Sequence, residues 1–213
     1  MNLDIFTDKY LDFLNGPLKG LNLTRILGRE DIFNKQILDS ILPIRQSAAI
    51  ASILESRDTI IDVGFGGGFP LFPLAIELIG KRVIGIESIG KKVNACRLIR
   101  DSLQLSNVRL VNSRLEKILI DSDALITFKA VGLIQDLLDF VHVAPSCNVS
   151  VLFYKGPSYK DEISFQNPSW RLAEIFEYKL PDNSVRSTLL YDNVPRGTIK
   201  NKNLVKLSEL ILE

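Results

Sequence analysis

The alternation of strand-like and helix-like segments after Thr59 restricts the possible folds more than any other feature of this sequence. Short β-branched runs alternate there with segments whose apolar residues recur every three or four positions. Strands that alternate with helices in this way predict a mostly parallel sheet with helices on both faces. We therefore predict an α/β fold with strands in the segments TIIDV, RVIGIE, VRLV, ALITFKAV and VSVLFYK.

The two ends of the chain differ from this central pattern. Apolar stripes predict one helix near Leu3 and a second from about Arg29, which Pro43 is expected to kink or end. Near the other end, the segments RLAEIFEYKL and SVRSTLLYD flank PDN and predict an antiparallel hairpin at one sheet edge. We divide the chain into an N-terminal helical extension (1–57), an α/β domain (58–192) and a basic tail (193–213), which together form one structural unit.

Composition argues against several classes of protein. The 213 residues are 46% apolar and 24% charged with a formal net charge of +1, which is typical of a globular protein without a general affinity for nucleic acid. The two cysteines and the single histidine, His142, lack the spacing of a metal site or a serine-hydrolase triad. Without a signal pattern or an apolar run of about 20 residues, we expect a soluble, cytoplasmic protein. We also expect a monomer without bound metal.

The loop DVGFGGGFP follows the first predicted strand and is expected to hold a ligand. In open α/β sheets, ligands bind beyond the carboxyl ends of the strands, where the strand order reverses. A dinucleotide fingerprint requires G-x-G-x-x-G, but registers that start at Gly64 or Gly66 place Phe69 or Leu71 at the third position. The loop therefore argues against a nicotinamide cofactor and favours a ligand without a pyrophosphate, such as S-adenosylmethionine.

Glu87 ends the second predicted strand, roughly 20 residues beyond the loop. A carboxylate at this position can accept hydrogen bonds from both hydroxyls of a ribose. The alternative is a solvated residue at a strand end. Because the glycine loop stands at the expected position upstream, we favour the ribose role.

Several motifs together resemble one known family. The segments DVGFGGGFPLFPLAI, ESIGKKV, NSRLEK and YKG, with LNLTRI and ILDSI before the sheet and VPRGTIKNKNL after it, resemble the bacterial 16S ribosomal RNA guanine-N7 methyltransferases, also called glucose-inhibited division protein B. The likeness covers nearly the whole chain. It implies a class I S-adenosylmethionine-dependent methyltransferase fold: N-terminal helices before a Rossmann-like, mostly parallel seven-stranded sheet with an antiparallel edge hairpin. It also implies methylation of guanine N7 in 16S ribosomal RNA or the small-subunit particle, with S-adenosylhomocysteine as product.

The resemblance also implies roles for individual residues. Lys129 and Asn22 would be catalytic, and RNA would be bound by Arg114, Lys155, Arg186, Arg196 and Lys200. The donor would be bound by Asp62, Gly64, Gly66, Gly68, Phe69, Glu87, Leu115, Glu116 and Lys129, with Leu115 and Glu116 at its adenine end. The chain departs from the family at two of the positions near the site: Gln36 stands where the family commonly has histidine, and Lys129 where it has arginine.

Alternative functions remain open at this point. Since a fold does not fix a substrate, the chain could methylate another RNA base, a protein or a small molecule. A relative that binds RNA without methylating it is a second alternative, and Gln36 and Lys129 point that way. Guanine N7 has a free lone pair and needs no general base, which suits a chain with one histidine. The basic segments 81–100 and 186–206 are either solvated faces or contacts to RNA.

Overall fold

The structure of the chain is a computed structural model that describes residues 1–163, 167–194 and 203–212. Its helices are α1 (Leu3–Asn15), α2 (Arg29–Gln46), α3 (Ala48–Ser56), α4 (Leu71–Glu77), α5 (Gly90–Ser102), α6 (Ile134–Phe140) and α7 (Leu207–Leu210). Its strands are β1 (Thr59–Val63), β2 (Arg82–Glu87), β3 (Val108–Asn112), β4 (Ile118–Ile120), β5 (Ala124–Lys129), β6 (His142–Val143), β7 (Val149–Lys155), β8 (Trp170–Lys179), β9 (Val185–Asn193) and β10 (Val205–Lys206). Short 3₁₀ turns cover Leu115–Lys117 and Pro157–Glu162.

The main sheet has seven strands in the order β3-β2-β1-β5-β7-β9-β8. The neighbours from β3 to β7 are parallel, and β9 runs antiparallel to both β7 and β8. The predicted α/β fold and its antiparallel hairpin are therefore confirmed. The strand order reverses at β1, because β2 and β5 lie on opposite sides of it, so a ligand crevice is expected beyond the carboxyl end of β1.

Alternate residues of the strands face two separate hydrophobic clusters. Ile60 and Val83 belong to the cluster that contains α1, α2, α4 and α5, whereas Ile61 and Ile84 face the cluster around α6 and the small sheet. Residues 1–57 pack onto the first cluster through fully buried side chains such as Phe6 and Tyr10. The predicted domain boundaries stay a prediction, but the extension shares its core with the sheet.

Helix α2 continues through Pro43, contrary to the expectation that the proline would kink or end it. It comprises Arg29–Ile32, the π-helical segment Phe33–Leu38 and Asp39–Gln46. Proline has no N–H and leaves the carbonyl of Asp39 without its helical donor. The hydroxyl of Tyr178 donates to that carbonyl at 3.1 Å, so a partner from β8 replaces the missing bond.

A second, three-stranded sheet in the order β10-β4-β6 was not predicted. Its strands are two or three residues long, too short to produce a recognisable alternation. Helix α3 was also not predicted; the Ser47 hydroxyl accepts from the backbone N–H of Ile50 and caps its start. In the described ranges, no single helix is long and apolar enough to cross a membrane, although α2 and α3, bent by 85°, meet that criterion as a pair.

Candidate functional site

The glycine loop lies beyond β1, at the point where the strand order reverses. Gly64, Gly66 and Gly68 have φ values of +70°, +54° and +97°, a region that side chains disfavour. The backbone N–H of Gly64 donates to the carbonyl of Ile86 at 2.7 Å, which fixes the loop beside β2. A Cβ added at Gly66 would meet nothing closer than the Gly64 carbonyl at 3.8 Å. The loop therefore presents Gly66 to open space.

Glu87 lies directly beside this loop. One carboxylate oxygen accepts from the backbone N–H of Gly66 at 3.2 Å and the other from that of Ile89 at 2.9 Å. The residue is only 5% exposed, so these bonds hold the carboxylate in one place. The Ser88 hydroxyl makes a longer contact of 3.5 Å to the same carboxylate. Since a carboxylate has about four lone-pair sites, acceptor capacity remains for a ligand hydroxyl.

The arrangement of Gly66 and Glu87 fits the expected methyl donor better than a dinucleotide. A pyrophosphate is normally bound by free backbone N–H groups, but the Gly66 N–H is already used by Glu87. The Glu87 carboxylate also suits ribose hydroxyls and a nearby cation. The residues present are therefore compatible with the ribose and sulfonium of S-adenosylmethionine.

Asp62 is fully buried beneath the loop. Its carboxylate accepts from the Thr127 hydroxyl at 2.9 Å and from the Leu71 backbone N–H at 3.0 Å. Burial raises the pKa of Asp62 to about 7, an effect that these two hydrogen bonds partly oppose. The side chain thus holds the start of α4 against β5, and its predicted contact with the donor stays a prediction.

Helix α1 supports the glycine loop, a role that the sequence patterns did not suggest. The Tyr10 hydroxyl donates to the carbonyl of Gly67 at 2.8 Å. The Tyr10 ring packs edge-to-face on Phe69, with the ring centroids 4.9 Å apart. Phe69 is 8% exposed and also lies against Phe6, so its predicted contact with the donor stays a prediction. The helical stripe containing Phe6 and Tyr10 was visible in the sequence, but it did not distinguish loop support from ordinary core packing.

The residues predicted for the adenine end follow β3, the neighbour of β2. Leu115 is buried and Glu116 is partly exposed in the 3₁₀ turn. Asn112 connects this end of β3 to the site, because its side-chain amide donates to the Glu87 carbonyl at 2.8 Å. Arg114, a predicted RNA contact, has a side chain that is 67% exposed and lies 3.5 Å from the Glu116 carboxylate.

Lys129 is directed toward helix α2. Its ammonium lies 2.8 Å from the Gln36 side-chain oxygen, 3.1 Å from the Asp39 carboxylate and 3.4 Å from the Lys35 carbonyl. Three such partners match the three N–H donors of an ammonium group. Its predicted contact with donor or target stays a prediction; the geometry makes it a link between β5 and α2.

Asp39 connects Lys129 to the hairpin of β8 and β9. Its carboxylate accepts from the Tyr178 hydroxyl at 2.8 Å and lies 3.8 Å from the guanidinium of Arg186. Burial and the neighbouring Asp39 raise the pKa of Tyr178, so its hydroxyl stays protonated. Arg186, predicted to bind RNA, is half-buried in this network.

Lys155 fixes the segment that faces Gly64. Its ammonium pairs with Glu162 at 2.7 Å and donates to the Gly132 carbonyl at 3.0 Å. Glu162 in turn accepts from the backbone N–H of Ile134 at 3.0 Å. A Cβ at Gly64 would come within 2.9 Å of Val131, so this segment forms a wall of the crevice. The RNA contact predicted for Lys155 would require it to leave a half-buried ion pair.

Asn22, the second predicted catalytic residue, lies on the surface next to the loop. It is exposed and has a φ of +48°. The carbonyl of the following residue, Leu23, approaches Gly67 so closely that a Cβ there would be 2.8 Å away. Asn22 also lines a groove of about 710 Å³ with Lys19 and Arg25.

The predicted RNA-binding residues do not form one patch in the part of the chain that the structure describes. Arg114 follows β3 at one edge of the sheet, whereas Lys155 and Arg186 belong to β7 and β9 on the other half. Arg196 and Lys200 lie outside the described residues.

The buried thiol of Cys96 lies behind the glycine loop and donates to the Gly66 carbonyl at 3.6 Å. Cys96 and Cys147 are buried free thiols, and His142 is half-buried in β6, two residues after α6 ends. Burial raises the pKa of Cys96, which keeps its thiol protonated. Across residues 1–163, 167–194 and 203–212, no group of three His, Cys, Asp or Glu side chains could hold a metal ion.

Comparisons with known proteins give one consistent result. The chain is 32% identical over 211 residues to the ribosomal RNA small subunit methyltransferase G of Pseudothermotoga lettingae, covering 91% of this chain and 87% of the relative. It is 32% identical over 177 residues to the same-named protein of Vibrio vulnificus, covering 81% and 79%. A crystal structure of a MtNAS variant in complex with S-adenosylmethionine shares the fold, at 11% identity and a TM-score of 0.53 over 90% of this chain and 73% of the other. Residues 6–190 match the family model GidB, rRNA small subunit methyltransferase G, and the chain belongs to this family.

Proposed function

We propose that this protein methylates N7 of a guanine in 16S ribosomal RNA, with S-adenosylmethionine as the donor and S-adenosylhomocysteine as the product. Membership of the GidB family makes the chain an S-adenosylmethionine-dependent rRNA methyltransferase by class. The structural observation that carries the proposal is the Glu87 carboxylate, held by the Gly66 N–H at the reversal of strand order. We propose the target base and the roles of the individual site residues.

Donor binding is proposed for the crevice beyond β1 and β2. When bound, S-adenosylmethionine supplies a methyl group activated by a sulfonium centre. Glu87 accepts from its ribose hydroxyls, and Gly64, Gly66 and Gly68 allow the backbone to approach it closely. Leu115 and Glu116 contact its adenine end. Asp62 does not contact the donor in this proposal; it holds the loop in position from beneath.

Transfer to guanine N7 requires little acid–base chemistry from the protein. The N7 lone pair is free in the neutral base, so no side chain has to remove a proton before the new bond forms. Catalysis then depends on holding the base and the methyl group in line. Asn22, exposed beside the loop, is proposed to contact the target base, and Lys129 to hold the α2 side of the crevice through Gln36 and Asp39.

Contacts to RNA are proposed for Arg114 and for the basic tail that contains Arg196 and Lys200. Lys155 and Arg186 are engaged with Glu162 and Asp39, so we assign them to positioning the crevice walls. The substrate would be the ribosomal RNA or the small-subunit particle in the cytoplasm, and the protein would act as a monomer.

Nucleoside mass spectrometry tests the proposal directly. The purified protein is incubated with isotopically labelled S-adenosylmethionine and unmodified small-subunit particles or naked 16S rRNA. We expect one labelled 7-methylguanosine per RNA. Label in a different nucleoside would show that another base is methylated. Donor binding without methyl transfer would indicate an RNA-binding relative that does not methylate.

A further inference from the structure

A basic groove runs along the outer edge of the main sheet, away from the donor crevice. It has a volume of about 1110 Å³ and follows the edge strand β3 between helix α5 and the segment around Leu210 and Leu212. Arg97 and Arg100 from α5 and Arg109 from β3 line it. In the sequence, the first two belong to a basic run that could have been only a solvated face; the fold adds a third arginine from a different element.

The charge of this groove is only partly neutralised within the protein. Arg100 pairs with Asp101 at 2.7 Å. Arg97 instead contacts the Asn94 side-chain oxygen, and Arg109 contacts only backbone carbonyls. Among the described residues, neither of these two exposed guanidinium groups pairs with a carboxylate. Two unneutralised arginines in one groove are notable on a chain whose net charge is +1.

The groove continues to the rim of the proposed donor site. Asn112, at the carboxyl end of β3, lines the groove and also donates to the carbonyl of Glu87. A strand of RNA that passes the donor crevice could therefore extend along β3 without leaving the surface. Leu210 and Leu212 on the opposite wall offer apolar contact to ribose or base faces.

We propose that the groove formed by Arg97, Arg100 and Arg109 along β3 binds the phosphate backbone of the RNA substrate. Guanidinium groups suit phosphates because their planar N–H donors bind two oxygens at once. Unpaired backbone groups of an edge strand add further hydrogen-bonding capacity. The choice of RNA as the ligand rests on the proposed function.

The test compares two matched double variants in binding to a 16S rRNA transcript, without donor, between 50 and 200 mM KCl. Arg97→Gln/Arg109→Gln removes the two unneutralised charges of the groove. Arg171→Gln/Lys179→Gln removes two exposed charges from β8, at the opposite edge of the same sheet, although Arg171 lies 3.6 Å from the Asp192 carboxylate. Thermal unfolding of each variant verifies that it is folded.

We expect the groove variant to raise the dissociation constant for RNA about tenfold and to lower the slope of log K against log salt by about 1 to 2. The β8 variant should change affinity less than about twofold, and Arg97→Lys/Arg109→Lys should keep most of the salt dependence. Equal effects of the groove and β8 variants would overturn the proposal. A groove variant that binds the transcript normally but methylates assembled particles poorly would also overturn it, because a ribosomal protein would then be the partner.

The outcomes separate this proposal from the proposed function. Groove-dependent RNA binding by a protein that transfers no methyl group would overturn the function and leave the groove as an RNA site. Methylation of guanine N7 by a protein whose RNA binding does not depend on the groove would overturn the groove as an RNA site and leave the proposed function in place.

Discussion

The ammonium of Lys129 lies 2.8 Å from the side-chain oxygen of Gln36, so two departures of this chain from its family's common residues contact each other. The resemblance seen in the sequence implies arginine and histidine at these positions in the family. An ammonium needs an acceptor at this distance, and the glutamine carbonyl supplies one. The two residues therefore form a matched pair across 93 positions of sequence. The pair joins the end of β5 to α2.

The first prediction concerns the coupling of this pair. Lys129→Arg and Gln36→His introduce the family residues singly, and a third variant carries both. Each single change misfits its unchanged partner in a mostly buried site, so we expect the double variant to be more stable than the sum of the single effects predicts. The interaction energy should be about 1 kcal/mol, measured as a double-mutant cycle by urea unfolding.

A distant pair provides the control for that cycle. The side chain of Arg45 pairs with Glu77 instead. The effects of Lys129→Arg and Arg45→Lys on the free energy of unfolding should therefore be additive within about 0.5 kcal/mol. If the effects of Lys129→Arg and Gln36→His are also additive, the two residues do not interact and the prediction is wrong.

The second prediction concerns Glu87. Replacement by glutamine places an NH₂ group where one of two backbone N–H groups now donates, and it removes the charge that would bind ribose hydroxyls. We expect the dissociation constant for S-adenosylmethionine to rise about tenfold or more, measured by calorimetry. Glu77→Gln makes the same chemical change in α4 and should leave donor affinity unchanged. Unaltered affinity in Glu87→Gln would remove Glu87 from the donor site.

The third prediction is a dependence of stability on pH caused by Asp62. Its folded pKa of about 7 exceeds the ordinary value of 3.8, so between these values the folded protein holds a proton that the unfolded chain has released. The contribution of Asp62 to stability is therefore complete below about pH 4 and is lost as pH rises toward 7. Asp62→Asn keeps an acceptor for the Leu71 N–H and cannot ionise.

The variant should consequently gain stability relative to the native protein as pH rises from 5 to 8. Between pH 5 and pH 8 the gain should be at most about 3 kcal/mol in urea unfolding. Asp58→Asn, a change at a carboxylate that is 92% exposed, should follow the native pH profile. Parallel profiles for the native protein and Asp62→Asn would mean that Asp62 is ionised in the folded state.

Local patterns were sufficient to predict most of the fold. The segment RVIGIE forms β2 with the predicted bounds, and PDN lies within the predicted hairpin connection, because β-branched runs and turn residues act over a few positions. The glycine loop and Glu87 also adjoin each other as expected, since parallel strands bring their carboxyl ends to one edge.

The interactions that were missed at the site depend on contacts between distant parts of the chain. Tyr10 supports Gly67 across 57 positions, and Tyr178 satisfies the Asp39 carbonyl that Pro43 releases across 139. No local pattern indicates either partner. The same limit explains why Lys129 was predicted beside the donor but not against Gln36.

The fourth prediction separates two adjacent glycines of the loop. At Gly66 an added Cβ would meet no atom closer than 3.8 Å, so Gly66→Ala incurs only the cost of a left-handed backbone, about 1–2 kcal/mol. At Gly67 the Cβ would lie 2.7 Å from the Tyr10 hydroxyl and 2.8 Å from the Leu23 carbonyl. Gly67→Ala must therefore displace α1 or the loop, and we expect it to cost about 1–3 kcal/mol through overpacking.

Donor binding should distinguish the two substitutions more sharply than stability does. The methyl group of Gly66→Ala projects into the open space over the loop, where the donor is proposed to lie, so affinity for S-adenosylmethionine should fall more than tenfold in a folded protein. In Gly67→Ala, adding Tyr10→Phe removes the atom nearest to the new methyl group and should recover part of the lost stability, measured by urea unfolding. If Gly66→Ala is folded and binds the donor as tightly as the native protein, the donor does not lie against this loop.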